Sequence, residues 1–210
     1  MEFPFTNALR QRITDNLASF KETQLRDHGL RHAAVAIVIG KQENSEGACV
    51  LLTLRPRHLN RHGGQFALPG GRLDQGETVQ EAALRELHEE IGLDLPQDRI
   101  IGKLDDYPTR SGFCITPLVV WGGAALDLKP DPNEVARVYR IPFEELNSPT
   151  VPDLSEPEEN RQPILSAHMP SLGGRVYSPT AAMLYQFREV AIRGNDTRVA
   201  HYEQPEFAWK

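Results

Sequence analysis

Apolar residues recur along this chain with two different spacings, which together predict an α/β protein. Apolar positions three and four residues apart mark amphipathic helices, whereas short apolar runs bounded by turn residues mark strands. The predicted helices cover residues 7–25, 79–91, 142–146 and 180–192. The predicted strands cover residues 32–39, 48–54, 99–104, 113–121 and 135–141. Helices before, between and after the strands suit a sheet between helix layers.

Two segments fit neither pattern. Residues 147–170 are rich in proline and acidic side chains and predict a long loop or a hairpin. We expect three parts in the chain: an N-terminal helical extension (1–30), a central domain (31–192) and a C-terminal tail (193–210). The tail carries scattered aromatic residues, which either dock on the core or form contacts with a second subunit in a homodimer: Tyr202, Phe207 and Trp209.

The helix at 79–91 has clear predicted ends. Thr78 is its N-cap, with Glu81 as the capping-box partner, and Gly92 is its C-terminal stop. The residues expected on its buried side are Leu84, Leu87 and Ile91. The preceding Pro69-Gly70-Gly71 predicts a loop, because these residues are poor continuations of regular structure.

Three glutamates on this helix are spaced for one face. Glu86, Glu89 and Glu90 occupy positions i, i+3 and i+4, which are neighbours on a helix surface. Such crowding of like charge is favourable when a hard divalent cation binds among the carboxylates, as Mg²⁺ does with oxygen ligands. For an isolated pattern of this kind, the usual alternative is a solvated acidic face.

A basic segment follows the strand at 48–54. Arg55, Arg57 and Arg61 lie between this strand and the acidic helix, so they are candidates for binding phosphate oxygens. The alternative is a basic surface loop paired with nearby acids. Phe66 lies in the same loop and is a candidate for substrate contact, whereas Phe113 and Trp121 occupy strand positions and are expected in the core.

Composition narrows the function further. At 210 residues the chain is long enough for one sizeable domain, and its net charge of −6 without a basic block argues against binding of nucleic acid. Cys49 and Cys114 lie in apolar runs without a CxxC motif, which favours reduced core thiols and a reducing compartment. No apolar stretch approaches the length of a membrane span, so we expect a cytoplasmic protein without a membrane partner.

The acidic helix and its flanks match a longer motif, G-x5-E-x7-R-E-U-x-E-E-x-G-U. The seven fixed positions are filled by Gly71, Glu77, Arg85, Glu86, Glu89, Glu90 and Gly92. The chain therefore resembles the Nudix hydrolases. The resemblance implies an α/β/α sandwich with a mixed β-sheet over residues 31–192. It also implies Mg²⁺- or Mn²⁺-dependent hydrolysis of a nucleoside diphosphate linked to another moiety.

Residues 51–71 resemble the signature of one branch of that family, the coenzyme A diphosphatases: L-L-T-x-R-[SA]-x3-R-x3-G-x3-F-P-G-G. Three positions depart from it: Pro56, Asn60 and Leu68. The resemblance implies hydrolysis of coenzyme A or a derivative to 3′,5′-ADP and phosphopantetheine. Since Asn60 carries no charge, hydrolysis of ADP-ribose, NADH or another nucleoside diphosphate derivative stays an alternative. A non-catalytic nucleotide-sensing domain is the third.

We expect divided roles among the acids. Glu86 and Glu90 are the favoured metal ligands, and Glu89 is either a third ligand or the general base. Glu134, outside the motif, is either a further ligand or base or an exposed turn acid. Glu77 is expected to pair with Arg85 rather than bind metal. The expected substrate-binding residues are Arg55, Arg57, Arg61, Phe66, Gly70 and Gly71, and a Gly70 or Gly71 carbonyl can add a metal ligand.

Overall fold

The computed structural model describes residues 2–25, 29–59, 62–156 and 162–208. The helices are α1 (Asn7–Ser19), α2 (Val79–Ile91), α3 (Phe143–Leu146) and α4 (Thr180–Phe187). The longer strands are β1 (Arg31–Lys41), β2 (Ala48–Leu54), β5 (Ile100–Lys103), β7 (Phe113–Gly123), β8 (Arg137–Pro142), β10 (Leu165–Met169) and β11 (Gly174–Tyr177). The shorter ones are β3 (Phe66–Ala67), β4 (Gly70–Arg72), β6 (Tyr107–Pro108) and β9 (Asp153–Leu154).

The main sheet is mixed. Its path runs β3-β2-β1-β7-β5, with β4 also paired to β1, β6 to β7 and β8 to β2. β1 and β7 pair in parallel from Arg31 opposite Phe113 to Gly40 opposite Gly123, and the remaining described pairs of this sheet are antiparallel. The predicted mixed sheet is therefore confirmed.

Both faces of this sheet are covered. Alternate residues of β1 point to opposite sides, so Val35, Ile37 and Ile39 enter one core while Ala34, Ala36 and Val38 enter the other. Helix α2 covers the alanine side, and α1 and α4 cover the opposite side. Double coverage explains why β1 reads as an unbroken apolar run. The arrangement confirms the α/β/α sandwich.

The segment predicted as a long loop or a hairpin (147–170) contains two strands of a second, smaller sheet, and the third strand follows it. β10 pairs antiparallel with β9, as a hairpin would, and β11 adds to its other edge. The predicted helix at 180–192 is α4 followed by a π-helical turn, Arg188–Ile192. The buried Arg188 of this turn donates to the Leu146 and Ser148 carbonyls at 3.3 Å. These hydrogen bonds tie residues 146–148, which precede β9, to the turn that follows α4.

One helix end and one loop were predicted wrongly. Helix α1 ends at Ser19 rather than at residue 25, because the following backbone finds side-chain acceptors: Thr23 N–H donates to Asp105 Oδ1 at 2.6 Å and Leu25 N–H to Asp106 Oδ2 at 2.9 Å. The predicted glycine loop contains β4, which pairs antiparallel with β1.

The terminal segments share the core of the sandwich. α1 contributes Leu9, Ile13 and Leu17, and Val199 of the tail joins the same cluster. Tyr202 packs against this core, which confirms docking for that residue, whereas Phe207 is exposed and meets Tyr177 edge-on. Trp209 lies outside the described residues. Cys49 and Cys114 are free thiols in the interior, and none of the described helices is long and apolar enough to cross a membrane.

Candidate active site

Helix α2 presents its carboxylates in three different environments. It begins at a complete capping box between Thr78 and Glu81 and ends at Gly92 in the left-handed conformation, as predicted. Its buried side is formed by Ala82, Ala83, Leu87, Glu90 and Ile91. Leu84, predicted on that side, is only half-buried and packs against the core in which Ala82 and Ala83 are fully buried. Glu90 is 3% exposed, Glu86 half-buried and Glu89 exposed.

The glycines of β4 lie directly against two of these carboxylates. A Cβ atom on Gly71 would fall 2.2 Å from Glu86 Oε1, so only glycine allows this contact. Gly70, at φ +149°, would place a Cβ 2.2 Å from the Ala34 carbonyl, and its N–H donates to Glu90 Oε2 at 3.3 Å. The glycines serve close approach to α2 and β1. Their backbone is thus held beside the acidic face of α2.

Arg85 donates hydrogen bonds to three glutamates around α2. Its Nε and Nη2 donate to the two oxygens of Glu77 at 2.8 and 3.0 Å, which confirms the predicted Glu77–Arg85 pair. Its Nη1 donates to Glu86 Oε1 at 2.9 Å and to Glu89 Oε2 at 2.8 Å. The guanidinium lowers the pKa of Glu77, since its hydrogen bonds favour the ionised carboxylate.

Glu90 is a buried acid whose negative charge is only partly compensated by a nearby cation. Burial, reinforced by the neighbouring negative charge of Glu86, raises the pKa of Glu90 to about 8. Among the described residues, the cation that pairs with Glu90 is Arg55, at 3.7 Å between Nη1 and Oε1. The buried Nε of Arg55 has no hydrogen-bond partner in this part of the chain. Burial also raises the pKa of Glu86, although Arg85 opposes this shift. The arginines therefore do not fully compensate these acids, and Glu90 mostly keeps its proton at neutral pH.

The loop before β8 brings Glu134 towards the same acids. Lys129 N–H donates to the Ile91 carbonyl at 2.7 Å and Asp131 N–H to the Glu90 carbonyl at 3.0 Å, so the loop is tied to the end of α2. Glu134 is exposed, and its charge contributes to the raised pKa of both Glu86 and Glu90. It is therefore close enough to act on this site electrostatically.

A cavity of about 610 Å³ opens on the other side of the glycines. Residues of β1, β4 and β7 line it, together with Phe66 and the start of α4. Among the described residues, its charged lining consists of Arg31, Arg55 and Arg72, without a carboxylate. In a chain of net charge −6, such a local excess of arginine favours an anionic ligand. Glu86, Glu89 and Glu90 do not line the cavity themselves; Gly70 and Gly71 lie between.

The predicted substrate-binding residues divide into three groups. The cavity lining includes Arg55, Phe66, Gly70 and Gly71. Arg57 is exposed and outside the lining, and Arg61 lies outside the described residues. Phe113, expected in the core, is half-buried and lines the cavity, because its strand position lies at the open end of β7; Trp121 is buried as expected.

Several cavity residues escaped the sequence analysis, including Arg31, Arg72 and Met183. The position of Arg31 could be inferred from the sequence, because residues two apart along a strand share a face and Arg31 is in phase with Ala33 and Val35 of β1. Met183 comes from α4, more than a hundred residues away in sequence, and only the fold brings it to the cavity.

The donor chemistry at α2 fits a hard divalent cation. Glu86, Glu90 and the backbone of Gly70 or Gly71 offer oxygen ligands, which Mg²⁺ and Mn²⁺ prefer. Across the described part of the chain, no three His, Cys, Asp or Glu side chains converge as a ready-made metal group. At α2, Glu86 and Glu89 both accept hydrogen bonds from Arg85. A cation bound here would compete with Arg85 for Glu86 and Glu89. Its positive charge would stabilise the ionised form of the Glu90 carboxylate.

Comparison with known proteins identifies the family. Residues 30–164 match the model of the NUDIX domain. The chain is 34% identical over 149 residues to Nudix hydrolase 3 of Caenorhabditis elegans, covering 68% of this chain and 62% of that protein. It is 31% identical over 163 residues to the uncharacterized Nudix hydrolase NudL of Pectobacterium atrosepticum, covering 76% and 82%.

The crystal structure of the Nudix hydrolase RenU from M. smegmatis covers 58% of this chain and 76% of its own, with 25% identity and a TM-score of 0.42. The chain spans about 60% of the length of the nematode relative. The family match covers well over half of the chain and includes β4, α2 and the basic segment before them. The chain belongs to the Nudix family.

Proposed function

We propose that this chain hydrolyses a phosphoric anhydride bond in a nucleoside diphosphate derivative, and that coenzyme A or one of its derivatives is the substrate. The observation that carries the proposal is the position of β4. Its two glycines contact Glu86 and Glu90 on one side and line the arginine-bearing cavity on the other. A diphosphate in this cavity would lie beside the carboxylates of α2.

The acids divide the chemistry. Glu86 and Glu90 would hold Mg²⁺ or Mn²⁺, with Glu89 as a third ligand or as the base. When bound, the cation would supply charge neutralisation of the diphosphate and would lower the pKa of the attacking water. Glu89 or Glu134, both exposed, accepts the proton that the water loses. The water oxygen bonds to one phosphorus, the bond from that phosphorus to the bridging oxygen breaks, and the bridging oxygen leaves with the other phosphate.

The cavity supports a substrate larger than a simple nucleotide. Arg55 reaches both the cavity and Glu90, so its guanidinium can bridge substrate phosphate and metal site. Phe66 and Met183 add apolar surface beyond the glycines, which suits an extended organic group on the second phosphate. The match of residues 51–71 to the coenzyme A diphosphatase signature favours a pantetheine group there.

One panel of assays tests the proposal. The protein is incubated with Mg²⁺ or Mn²⁺ and coenzyme A, ADP-ribose, NADH or a diadenosine polyphosphate, and products are identified by mass spectrometry. Phosphopantetheine and 3′,5′-ADP from coenzyme A support the proposal. Turnover of only the other compounds overturns the coenzyme A assignment and keeps anhydride hydrolysis. Binding without turnover of any compound overturns hydrolysis in favour of nucleotide sensing.

A further inference from the structure

The far end of the cavity carries a second cluster of positive charge. We propose that Arg31 and Arg72, arranged around the Phe113 ring, form a subsite for a phosphomonoester on the nucleoside part of the substrate. This proposal rests on the proposed function and narrows its substrate class to diphosphate derivatives that bear an additional phosphate.

Strand register places the three side chains on one face. Arg31 pairs with Phe113 and Ala33 with Ile115 between β1 and β7, while Arg72 of β4 lies opposite Ala33. Paired residues and residues two apart share a face of a sheet. All five line the cavity. Arg31 and Arg72 are therefore fixed as diagonal neighbours by the backbone.

The aromatic ring holds the two guanidinium groups in place. Arg31 Cζ lies 4.0 Å and Arg72 Cζ 5.1 Å from the centroid of the Phe113 ring. Arg31 also donates through Nη2 to the Ser111 carbonyl at 3.1 Å. Stacking of this kind leaves the N–H edge of a guanidinium free to bind an anion.

Neither arginine has a carboxylate partner within the described residues, whereas Arg55, the other arginine of the cavity lining, faces Glu90. Two like charges on one ring repel each other unless an anion lies between them. A phosphomonoester supplies two negative charges and several acceptor oxygens, which match two guanidinium forks. Both arginines are exposed, so the pair offers an open, uncompensated positive site for a ligand of this chemistry.

The separation from α2 distinguishes this subsite from the reacting diphosphate. Gly70 precedes Arg72 by two residues, and Val35 opposite Gly70 lies four residues from Arg31. At about 3.3 Å per residue these intervals correspond to roughly 7 and 13 Å. A ribose can bridge the shorter interval when its 5′-oxygen carries the diphosphate and its 2′- or 3′-oxygen carries the additional phosphate.

Binding measurements test the subsite without any turnover. Calorimetric titrations with adenosine 3′,5′-bisphosphate, adenosine 2′,5′-bisphosphate and AMP are compared for the wild type, Arg31→Gln and Arg72→Gln. The wild type is expected to bind one bisphosphate at least about 10-fold more tightly than AMP, which is the scale of a charge-assisted hydrogen bond. Each variant is expected to lose most of that preference and to change its affinity for AMP less than about twofold.

Arg137→Gln is the matched control, because Arg137 also stacks on an aromatic ring, Tyr139 at 4.7 Å, but does not line the cavity. It is expected to keep the preference. Equal wild-type affinity for AMP and both bisphosphates overturns the subsite, as does an equal loss in Arg137→Gln. If the panel assay shows hydrolysis while the preference is absent, the subsite fails and the proposed function stands. If the preference is present without hydrolysis, the subsite stands and the proposed hydrolysis fails.

Discussion

The carboxylates on α2 have different surroundings although they share one helix face. Glu86 is held by Arg85 against Gly71, Glu90 is buried beside Arg55, and the Glu89 side chain is 52% exposed. Position i+4 falls towards the sheet and i+3 towards solvent, so the single face read from spacing separates into a buried and an exposed part.

Glu86→Gln and Glu89→Gln test these acids one at a time. Each substitution keeps the shape of the side chain and removes the charge, so a ligand or base is lost without a cavity. We expect kcat for the preferred substrate at saturating Mg²⁺ to fall about 100-fold or more in each variant. Glu46→Gln is the control, because its side chain is 85% exposed and lies in the turn between β1 and β2. Near-normal turnover in both variants contradicts the assigned roles.

Gly71→Ala tests the close approach of β4 to α2. The new Cβ would fall 2.2 Å from Glu86 Oε1, and Glu86 is restrained by Arg85. The carboxylate must move, so we expect at least a 10-fold fall in the rate with a smaller loss of stability than activity. Gly47→Ala is the control: its Cβ would fall 2.3 Å from Gln42 Nε2, a comparable clash in the turn between β1 and β2. Unchanged turnover in Gly71→Ala contradicts a functional contact.

Single-residue prediction worked best where the chemistry is local. The Glu77–Arg85 pair follows from the motif spacing and is present. Phe113 was misplaced in the core because an apolar strand residue has the same pattern whether its neighbour is packed or open. Burial of Glu90 required the fold, since only the approach of Gly70 and Arg55 defines it.

Helix α2 shows how much local rules determine at the level of elements. Its two ends agree with the predicted Thr78 and Gly92, because capping box and left-handed stop both act within one turn. The end of α1 was missed because Asp105, about 80 residues later, captures the backbone of residue 23. β4 was missed because its pairing depends on contact with β1 rather than on its own composition.

Thr78→Ala tests the cap. The substitution removes the hydroxyl that accepts from Glu81 N–H at 3.2 Å and donates to the Glu81 carboxylate at 2.7 Å. We expect the free energy of unfolding to fall by about 1 kcal/mol in urea titrations. Thr78→Ser, which keeps the hydroxyl, should stay within about 0.5 kcal/mol of the wild type. Equal losses in the two variants would contradict a capping role.

At the scale of the whole molecule, one buried carboxylate joins four separate parts of the chain. Asp105, at the end of the β5 segment, accepts at 2.6 Å from Thr23 N–H, from Gln186 Nε2 of α4 and from Arg198 Nη1 of the tail. No local pattern predicts this junction, because its members are up to 175 residues apart.

Asp105→Ala should therefore weaken the whole fold. Removal of the carboxylate takes a hydrogen-bond acceptor away from the buried Gln186 amide and from the partly buried Arg198 guanidinium. We therefore expect the free energy of unfolding to fall by about 2–4 kcal/mol. Asp196→Ala is the matched control, because it removes the other, 77% exposed, carboxylate partner of Arg198. Its expected cost is below about 1 kcal/mol. Thermal and urea unfolding of both variants measure the difference.

The two thiols report on the intact core. Burial raises the pKa of Cys49 and of Cys114 to about 11, whereas an unfolded thiol has a pKa of about 8.5. Both should react slowly with a thiol reagent at neutral pH and rapidly in denaturant. Above about pH 8.5 the unfolded chain loses thiol protons that the folded chain keeps, so the free energy of unfolding should fall as the pH rises towards 11. Rapid labelling of native protein contradicts their burial.

Anomalous diffraction from crystals soaked in Mn²⁺ tests the metal site most directly. We expect a peak about 2.1 Å from carboxylate oxygens of Glu86 and Glu90, next to the backbone of Gly70 and Gly71, with Glu86 released from Arg85. Crystals that bind no Mn²⁺ between these two carboxylates, with Glu86 and Glu89 still on Arg85, would contradict the assignment of α2 as the metal-binding helix.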